Sequence, residues 1–251
     1  MPHGASTARS PRRLPRRPSI REIIGETLLL LGLVVVLFVA WRLWWTNVVD
    51  GSRQEAEAHR IEQRFASDRS AQTAPEPASR SLKLGSGIAV VYIPRFGPQY
   101  SRPVLEGVGA DVLDTLGLGH YPGTAGPGGL GNFALAGHRQ THGAVLDNID
   151  QLRAGDSVYV RTARGYYRYR FESARIVLPS ETSVLAADPL HPGAAPTHRY
   201  LTLTSCHPRF GDSHRYIVRA ELSGFTPASA SPPAEIAAAV GSAHHGKESP
   251  S

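Results

Sequence analysis

Apolar positions along this 251-residue chain follow three regimes: one unbroken run near the start, a short stretch at helical spacing, and many brief alternating stretches separated by glycine and proline. The unbroken run, Thr27 to Trp45, is rich in Leu and Val, and its apolar part is interrupted only by Gly32 and, late, by Arg42. Roughly 20 apolar residues suffice for a helix to cross the hydrocarbon core, so this run predicts one transmembrane helix. Trp41, Trp44 and Trp45 gather at its far end as an interfacial aromatic belt would, and Arg42 can snorkel to the same level. Around Arg53 to Phe65, Ala58, Ile61 and Phe65 recur at intervals of three and four among Glu and Arg, which predicts a short surface helix. From Ser67 to Gly87 the composition turns to Ser, Ala, Pro and Gly, that of a flexible tether.

Beyond Gly87 the periodicity changes from helical to two-residue. Six strands are predicted: Ile88 to Ile93, Asn132 to Ala136, Ser157 to Arg161, Tyr166 to Val177, Arg199 to Ser205 and Tyr216 to Leu222. In the fourth, Tyr167, Tyr169 and Phe171 alternate with Arg168, Arg170 and Glu172, giving one packed face and one wet face. Ala163-Arg164-Gly165 turns the third strand into the fourth as a hairpin. Val112 to Leu116 and Ala144 to Leu152 read as short helical turns, the second capped by Gly155. Short strands between Gly/Pro turns indicate an all-β barrel with short helices, about 140 residues long and large enough for its own core. After Phe225 the Ala, Pro, Ser and His tail offers little to bury and is expected to be disordered. The domain reading is therefore 1–26 basic N-terminus, 27–45 anchor, 46–87 stalk and linker, 88–224 barrel and 225–251 tail.

A net charge of +6 and a pI near 9.8 would ordinarily suggest nucleic acid, but the charge is concentrated at one end. Residues 1–26 hold six arginines (Arg9, Arg12, Arg13, Arg16, Arg17, Arg21) against Glu22 and Glu26, which is +4 of the +6. By the positive-inside rule this places the N-terminus in the cytoplasm and everything after Trp45 outside, so the basic balance records membrane orientation and no nucleic-acid partner is expected. A cleaved signal peptide shares the basic start and apolar core, but no small-x-small site follows, because the run exits through Trp-Arg-Leu-Trp-Trp. Lysine occurs only at Lys83 and Lys247, an arginine bias compatible with a GC-rich genome.

Candidate chemistry centres on the single cysteine, Cys206, which ends the stretch Thr202-Leu203-Thr204-Ser205-Cys206-His207. An intramolecular disulfide is impossible, which leaves a reactive thiol, a metal ligand, an intermolecular bridge or an inert small hydrophobe. Leu201 and Leu203 share one strand face, while Thr202 and Thr204 share the face of the cysteine and give its sulfur a mildly polar groove. A thiolate near neutral pH needs a proton acceptor, and among eleven histidines His138 is best placed. It ends Asn132-Phe133-Ala134-Leu135-Ala136-Gly137-His138, where Phe133 and Leu135 face the core and Ala134 and Ala136, on the parity of the histidine, leave room for a peptide. Arg215 opens the last strand, where a guanidinium can hold a carbonyl or a developing oxyanion. Strand period alone does not separate Arg215 from Arg219. His120, beside Tyr121-Pro122-Gly123, reads as a loop residue. Cys206 with His207, or His138 with His142, would suggest zinc, but no closed set of four ligands at the usual spacing appears, so neither metal nor cofactor is expected.

The ordered set Ala-Gly-His at 136–138, Thr-Leu-x-Ser-Cys at 202–206 and Arg-Tyr-Ile-Val at 215–218 resembles the sortases, the membrane-anchored cysteine transpeptidases of Gram-positive bacteria. Ile93-Pro94-Arg95, Gly119-His120-Tyr121-Pro122-Gly123-Thr124 and Cys206-His207-Pro208-Arg209-Phe210 look most like the class E sortases of actinobacteria. One departure is Ser205, where the family usually has threonine. The resemblance, which covers about Ile88 to Gly224, implies an eight-stranded sortase barrel with His138, Cys206 and Arg215 as catalytic residues. Tyr121, Thr204 and Ser205 are the residues assigned to substrate binding. It further implies cleavage of a C-terminal sorting signal, Leu-Ala-x-Thr-Gly or Leu-Pro-x-Thr-Gly, between Thr and Gly on another surface protein. The acyl group would pass to the amine of a peptidoglycan precursor resembling lipid II. A pilin-polymerising sortase using a protein lysine, and an inactive membrane-tethered binding barrel, are the alternative expectations.

Overall fold

The computed structural model describes residues 19–68 and 82–245, and the side chains of all of these except 42–44, 46 and 242–245. Five of the six N-terminal arginines, most of the predicted tether and the side chains of Arg42 and Trp44 therefore lie outside the described residues. The chain divides into two compact units, Met1–Leu43 and Trp44–Ser251. In the first, helix α1 (Ile20–Ser67) begins, and its 22-residue stretch Ile20–Trp41 is exposed throughout and long and apolar enough to cross a membrane. Ser19 opens the helix with a reciprocal cap: its hydroxyl accepts from the Glu22 N–H, and Glu22 accepts from the Ser19 N–H at 2.7 Å.

The second unit is a closed barrel of eight strands. They are β1 (Gly87–Tyr92), β2 (Ser101–Glu106), β3 (Leu118–His120), β4 (Gly131–Ala136), β5 (Ser157–Thr162), β6 (Gly165–Val177), β7 (Arg199–His207) and β8 (His214–Pro227). Around the barrel the order is β1-β2-β3-β4-β7-β8-β6-β5, which closes on itself and leaves no open edge. The β2–β3 and β4–β7 pairs are parallel and the others antiparallel. All six predicted strands are present, and Ala163 and Arg164 turn β5 into β6 across the Thr162–Gly165 pair. The other two strands carry weak local signals: β2 contains Pro103, and β3 is three residues long with Gly119 at its centre. Of the predicted turns, the first is helix α2 (Ala110–Leu113), and the second reduces to a 3-10 turn at Ile149–Gln151.

Inside the barrel, Phe133 and Leu135 of β4 meet Leu201 and Leu203 of β7, Val218 and Ala220 of β8, and Tyr167 and Tyr169 of β6. Those of β4, β6 and β7 are the positions whose parity predicted one packed face. His120 is a strand residue rather than the loop residue expected: it is fully buried at the end of β3.

A second apolar cluster lies on the outside of the barrel, over β1, β5 and β6. Ala58, Ile61 and Phe65 of α1 cover Val90, Tyr92, Tyr159 and Tyr166, joined by Ile236, Ala239 and Val240 from the chain end. The expected disorder after Phe225 is thus corrected for the described residues: β8 continues to Pro227, and helix α3 (Ala237–His245) follows. The three buried side chains of this segment, Ile236, Ala239 and Val240, are too few for a core of their own, but α1 and the barrel supply the surface that completes one. Gly87 permits the close crossing of α1 over β1, since a Cβ there would lie 2.5 Å from Ile61 Cδ1.

Candidate active site

Topology brings the candidate residues to one end of the barrel. Strands β4 and β7 run parallel, with Ala136 opposite Thr204, so the segments that follow them leave the sheet at the same rim. His138 comes two residues after β4, and Cys206 is the penultimate residue of β7. Strand β8 is antiparallel to β7, which sets Arg215 directly opposite Cys206. A groove of about 270 Å³ is lined by His138, Cys206 and Arg215 together with Tyr121, Thr204 and Ser205. Val108, Leu113, Ala136 and Gly137 complete its wall. Every site residue expected from the sequence thus borders one open cleft.

The rim is held by short-range stitches. Ser205 donates its hydroxyl to the Gly137 carbonyl at 2.8 Å, and the Gly137 N–H returns a bond to the Thr204 carbonyl at 3.1 Å. The Gly-His and Ser-Cys segments are therefore tied across the parallel pair, and the Ser205 hydroxyl is committed to backbone rather than turned to the groove. Thr204 and Tyr121 share a hydroxyl bond of 3.1 Å across the groove wall. Glycine is required at position 137 because a Cβ would come within 2.8 Å of both Leu118 and Val145.

His138 is partnered by a residue that sequence reasoning missed. Its Nε2 lies 2.7 Å from Asp114 Oδ1, just after α2, and no hydrogen bond among the described residues engages Nδ1. His142 stands beside it, ring centroids 5.0 Å apart, with its Nε2 4.0 Å from the same Asp114 oxygen. One ligand atom from each of Asp114, His138 and His142 falls within a 4.8 Å cluster, three potential metal ligands where none had been expected. On the far side of His142, Asp50 of α1 approaches Nδ1 at 3.6 Å. The α1 segment also grips this loop through backbone: Asn47 donates to the Gln140 carbonyl at 2.9 Å and Gln54 to the His142 carbonyl at 2.8 Å. Only the i, i+4 spacing of the two histidines was visible in the sequence.

Arg139, adjacent to His138, is buried and serves as a brace. It donates to Asp150 at 2.6 Å, reaches His207 Nδ1 at 3.1 Å and lies 5.6 Å over the Tyr216 ring. It thereby ties the segment after His138 to the one after Cys206. Burial, then Asp150, raises the Tyr216 phenol above its ordinary range, opposed by the Arg139 charge. The two candidate arginines are also separated. Arg215 donates to the Asp212 and His214 carbonyls at 2.7 and 3.0 Å and borders the groove. Arg219 bonds Glu172 at 2.8 Å over the Tyr200 ring, in a different cavity.

An eight-stranded barrel with cysteine, histidine and arginine at one rim defines a class, and comparison with known proteins agrees. Residues 91–223 match the sortase domain. Sortase SrtE1 of Streptomyces coelicolor is 36% identical over 202 residues, 78% of this chain, and the chain spans 55% of that protein's length. Sortase SrtE2 of the same organism is 33% identical over 233 residues, 87% of this chain and 88% of that one. The structure of sortase E from Streptomyces avermitilis superposes with a TM-score of 0.56 at 40% identity, over 61% of this chain and 99% of its own. The chain belongs to the sortase family of cysteine transpeptidases, and within it is class E-like.

Proposed function

We propose that this protein is a membrane-anchored transpeptidase that cleaves a Leu-Ala-x-Thr-Gly-type sorting signal between Thr and Gly and passes the acyl group to a peptidoglycan-precursor amine. The reading is carried by the convergence of Cys206, His138 and Arg215 on one groove. Cys206 thiolate attacks the threonine carbonyl, and Arg215 stabilises the oxyanion of the tetrahedral intermediate. Imidazolium His138 gives a proton to the departing glycine amine, leaving a thioester, and the neutral ring then takes a proton from the incoming amine. With Asp114 accepting from Nε2–H, the lone pair of neutral His138 sits on Nδ1, so Nδ1 is the nitrogen that shuttles the proton. Tyr121 and Thr204 form the wall against which the signal peptide lies, and the Ser205 side chain shapes that wall.

The apolar stretch Ile20–Trp41 anchors the chain, with its basic N-terminus in the cytoplasm and the barrel outside, where sorting signals and cell-wall precursors meet it. The test is to incubate the protein with fluorogenic Leu-Ala-x-Thr-Gly and Leu-Pro-x-Thr-Gly peptides and an amine. Cleavage and amine capture are expected, with the alanine peptide preferred. Activity should vanish in Cys206→Ala, fall about 10²- to 10³-fold in Arg215→Ala and stay near normal in Arg219→Ala. Undiminished turnover in Cys206→Ala would overturn the mechanism, and loss confined to Arg219→Ala would move the oxyanion cation.

A further inference from the structure

We infer that Asp114, His138 and His142 form a binding site for a divalent transition metal of the Zn²⁺ class, and that filling it switches the enzyme off. Two imidazoles and one carboxylate suit zinc as three protein ligands, with a fourth position open to water. Zinc–ligand bonds near 2.0–2.1 Å place neighbouring tetrahedral ligand atoms about 3.3 Å apart. The pairs seen here, 2.7 Å for His138–Asp114 and 4.0 Å for His142–Asp114, bracket that value, and all three ligand atoms lie within 4.8 Å of one another, so side-chain rotation is what closing the triad requires. All three side chains are a quarter to a little over a third exposed, which leaves an access route from solvent.

A second observation points the same way. Ligand histidines usually hold their other nitrogen against a carboxylate, and Asp50 stands 3.6 Å from His142 Nδ1 with only 9% of its side chain exposed. Neither Asp50 nor His142 has a part in the proposed transfer reaction. The segment bearing His142 is fixed through its backbone by Asn47 and Gln54 of α1, so that ligand is already oriented.

Inhibition follows from which nitrogen the metal takes. A metal bound at His138 Nε2 uses that nitrogen's lone pair, so the neutral metal-bound ring must carry its single proton on Nδ1. That nitrogen then has no lone pair with which to deprotonate the incoming amine, and the ring cannot become the imidazolium that protonates the leaving amine. The inhibitory half of the inference rests on the role proposed for His138, whereas the binding half does not.

Both halves are tested on the full chain in detergent micelles, freed of metal with a chelator. Binding is read with Co²⁺ by visible d–d absorption and with Zn²⁺ by competition against a chromogenic chelator. Inhibition is read as loss of Leu-Ala-x-Thr-Gly cleavage with added Zn²⁺. One ion per chain is expected, with activity restored by chelator. His142→Ala should keep its metal-free rate within about threefold but need at least tenfold more Zn²⁺ for half-inhibition, and Asp50→Asn should weaken binding about tenfold. Cys206→Ala should retain the Co²⁺ bands, without a sulfur-to-metal charge-transfer feature. The inference is overturned if Co²⁺ does not bind, if binding depends on Cys206 and ignores His142, or if bound Zn²⁺ leaves the rate unchanged. Metal-free enzyme without activity would instead count against the transpeptidase reading, and the Co²⁺ titration would still decide the site.

Discussion

His120 ends β3 and His138 follows the neighbouring strand β4, each with a carboxylate on a ring nitrogen, yet the fold sets them in opposite surroundings. His120 is fully buried, with Nδ1 2.5 Å from Glu106 and Nε2 shared between the Ala125 carbonyl at 3.0 Å and the Thr124 hydroxyl at 2.9 Å. Both of its nitrogens are in use, so the ring joins β2, β3 and the following turn and is closed to any substrate. His138 has one nitrogen on Asp114 and borders an open groove. A carboxylate partner therefore does not identify a reactive histidine; what distinguishes one is a second nitrogen that the fold leaves without a bond.

The comparison can be broken most sharply by exchanging the losses. His138→Ala is expected to lower kcat/KM by 10²- to 10⁴-fold with its Tm nearly unchanged, as measured by peptide cleavage alongside thermal unfolding. His120→Ala should do the reverse: removing one partner of a buried pair strands Glu106 and costs about 3–5 kcal/mol in urea unfolding, while the folded fraction keeps its turnover. If His120→Ala proved stable but inactive, the division of labour between the two rings would be wrong.

Smaller effects sharpen the same contrast between bracing and chemistry. Ile61→Ala, which empties a fully buried position between α1 and β1, should cost about 2–4 kcal/mol by denaturant midpoint, with little change in turnover per folded molecule. Ser205→Ala removes the bond to the Gly137 carbonyl and should cost about 1 kcal/mol, with a rate loss attributable to a looser His138–Cys206 rim. Rescue of both by Ser205→Thr would show that the hydroxyl is the relevant group.

A last test concerns a carboxyl that, among the described residues, is braced by neither an arginine hydrogen bond nor the groove. Glu62 of α1 is pushed from 4.5 up to about 7 by burial, opposed by the charge of Arg161. Its folded state therefore keeps a proton that the unfolded chain releases. The stability it lends is complete below about pH 4.5 and is lost as pH rises through 7. Tm should fall between pH 5 and pH 8 in the parent and fall less in Glu62→Gln, by calorimetry. An equal slope in both would mean that Glu62 is charged throughout.

Much of the site could be read from single stretches because strand parity is local. Alternation at 132–138 and 201–206 sets which side chains face the core, and the structure keeps those faces. Arg215 and Arg219 share a parity, so strand period could not choose between them; the family resemblance implied Arg215, and register sets it opposite Cys206 with Arg219 opposite Thr202. Asp114 was invisible for a related reason, since it lies 24 residues before His138 and meets it only through the path of α2 and β3.

From its amino acids alone this chain declared a membrane-length apolar helix, six strands with the facing of three of them, and a cysteine and a histidine fit for thiol chemistry, while short motifs resembling the sortases implied the arginine and the acyl transfer. Those features depend on periodicity and residue chemistry within a few neighbours. Only the tertiary structure decided the closure through β2 and β3, the capture of Ile236, Ala239 and Val240 by α1, and the meeting of Asp114 with His138 and His142. Each of these needs a partner surface from a distant part of the chain, and no local pattern encodes which surface that will be.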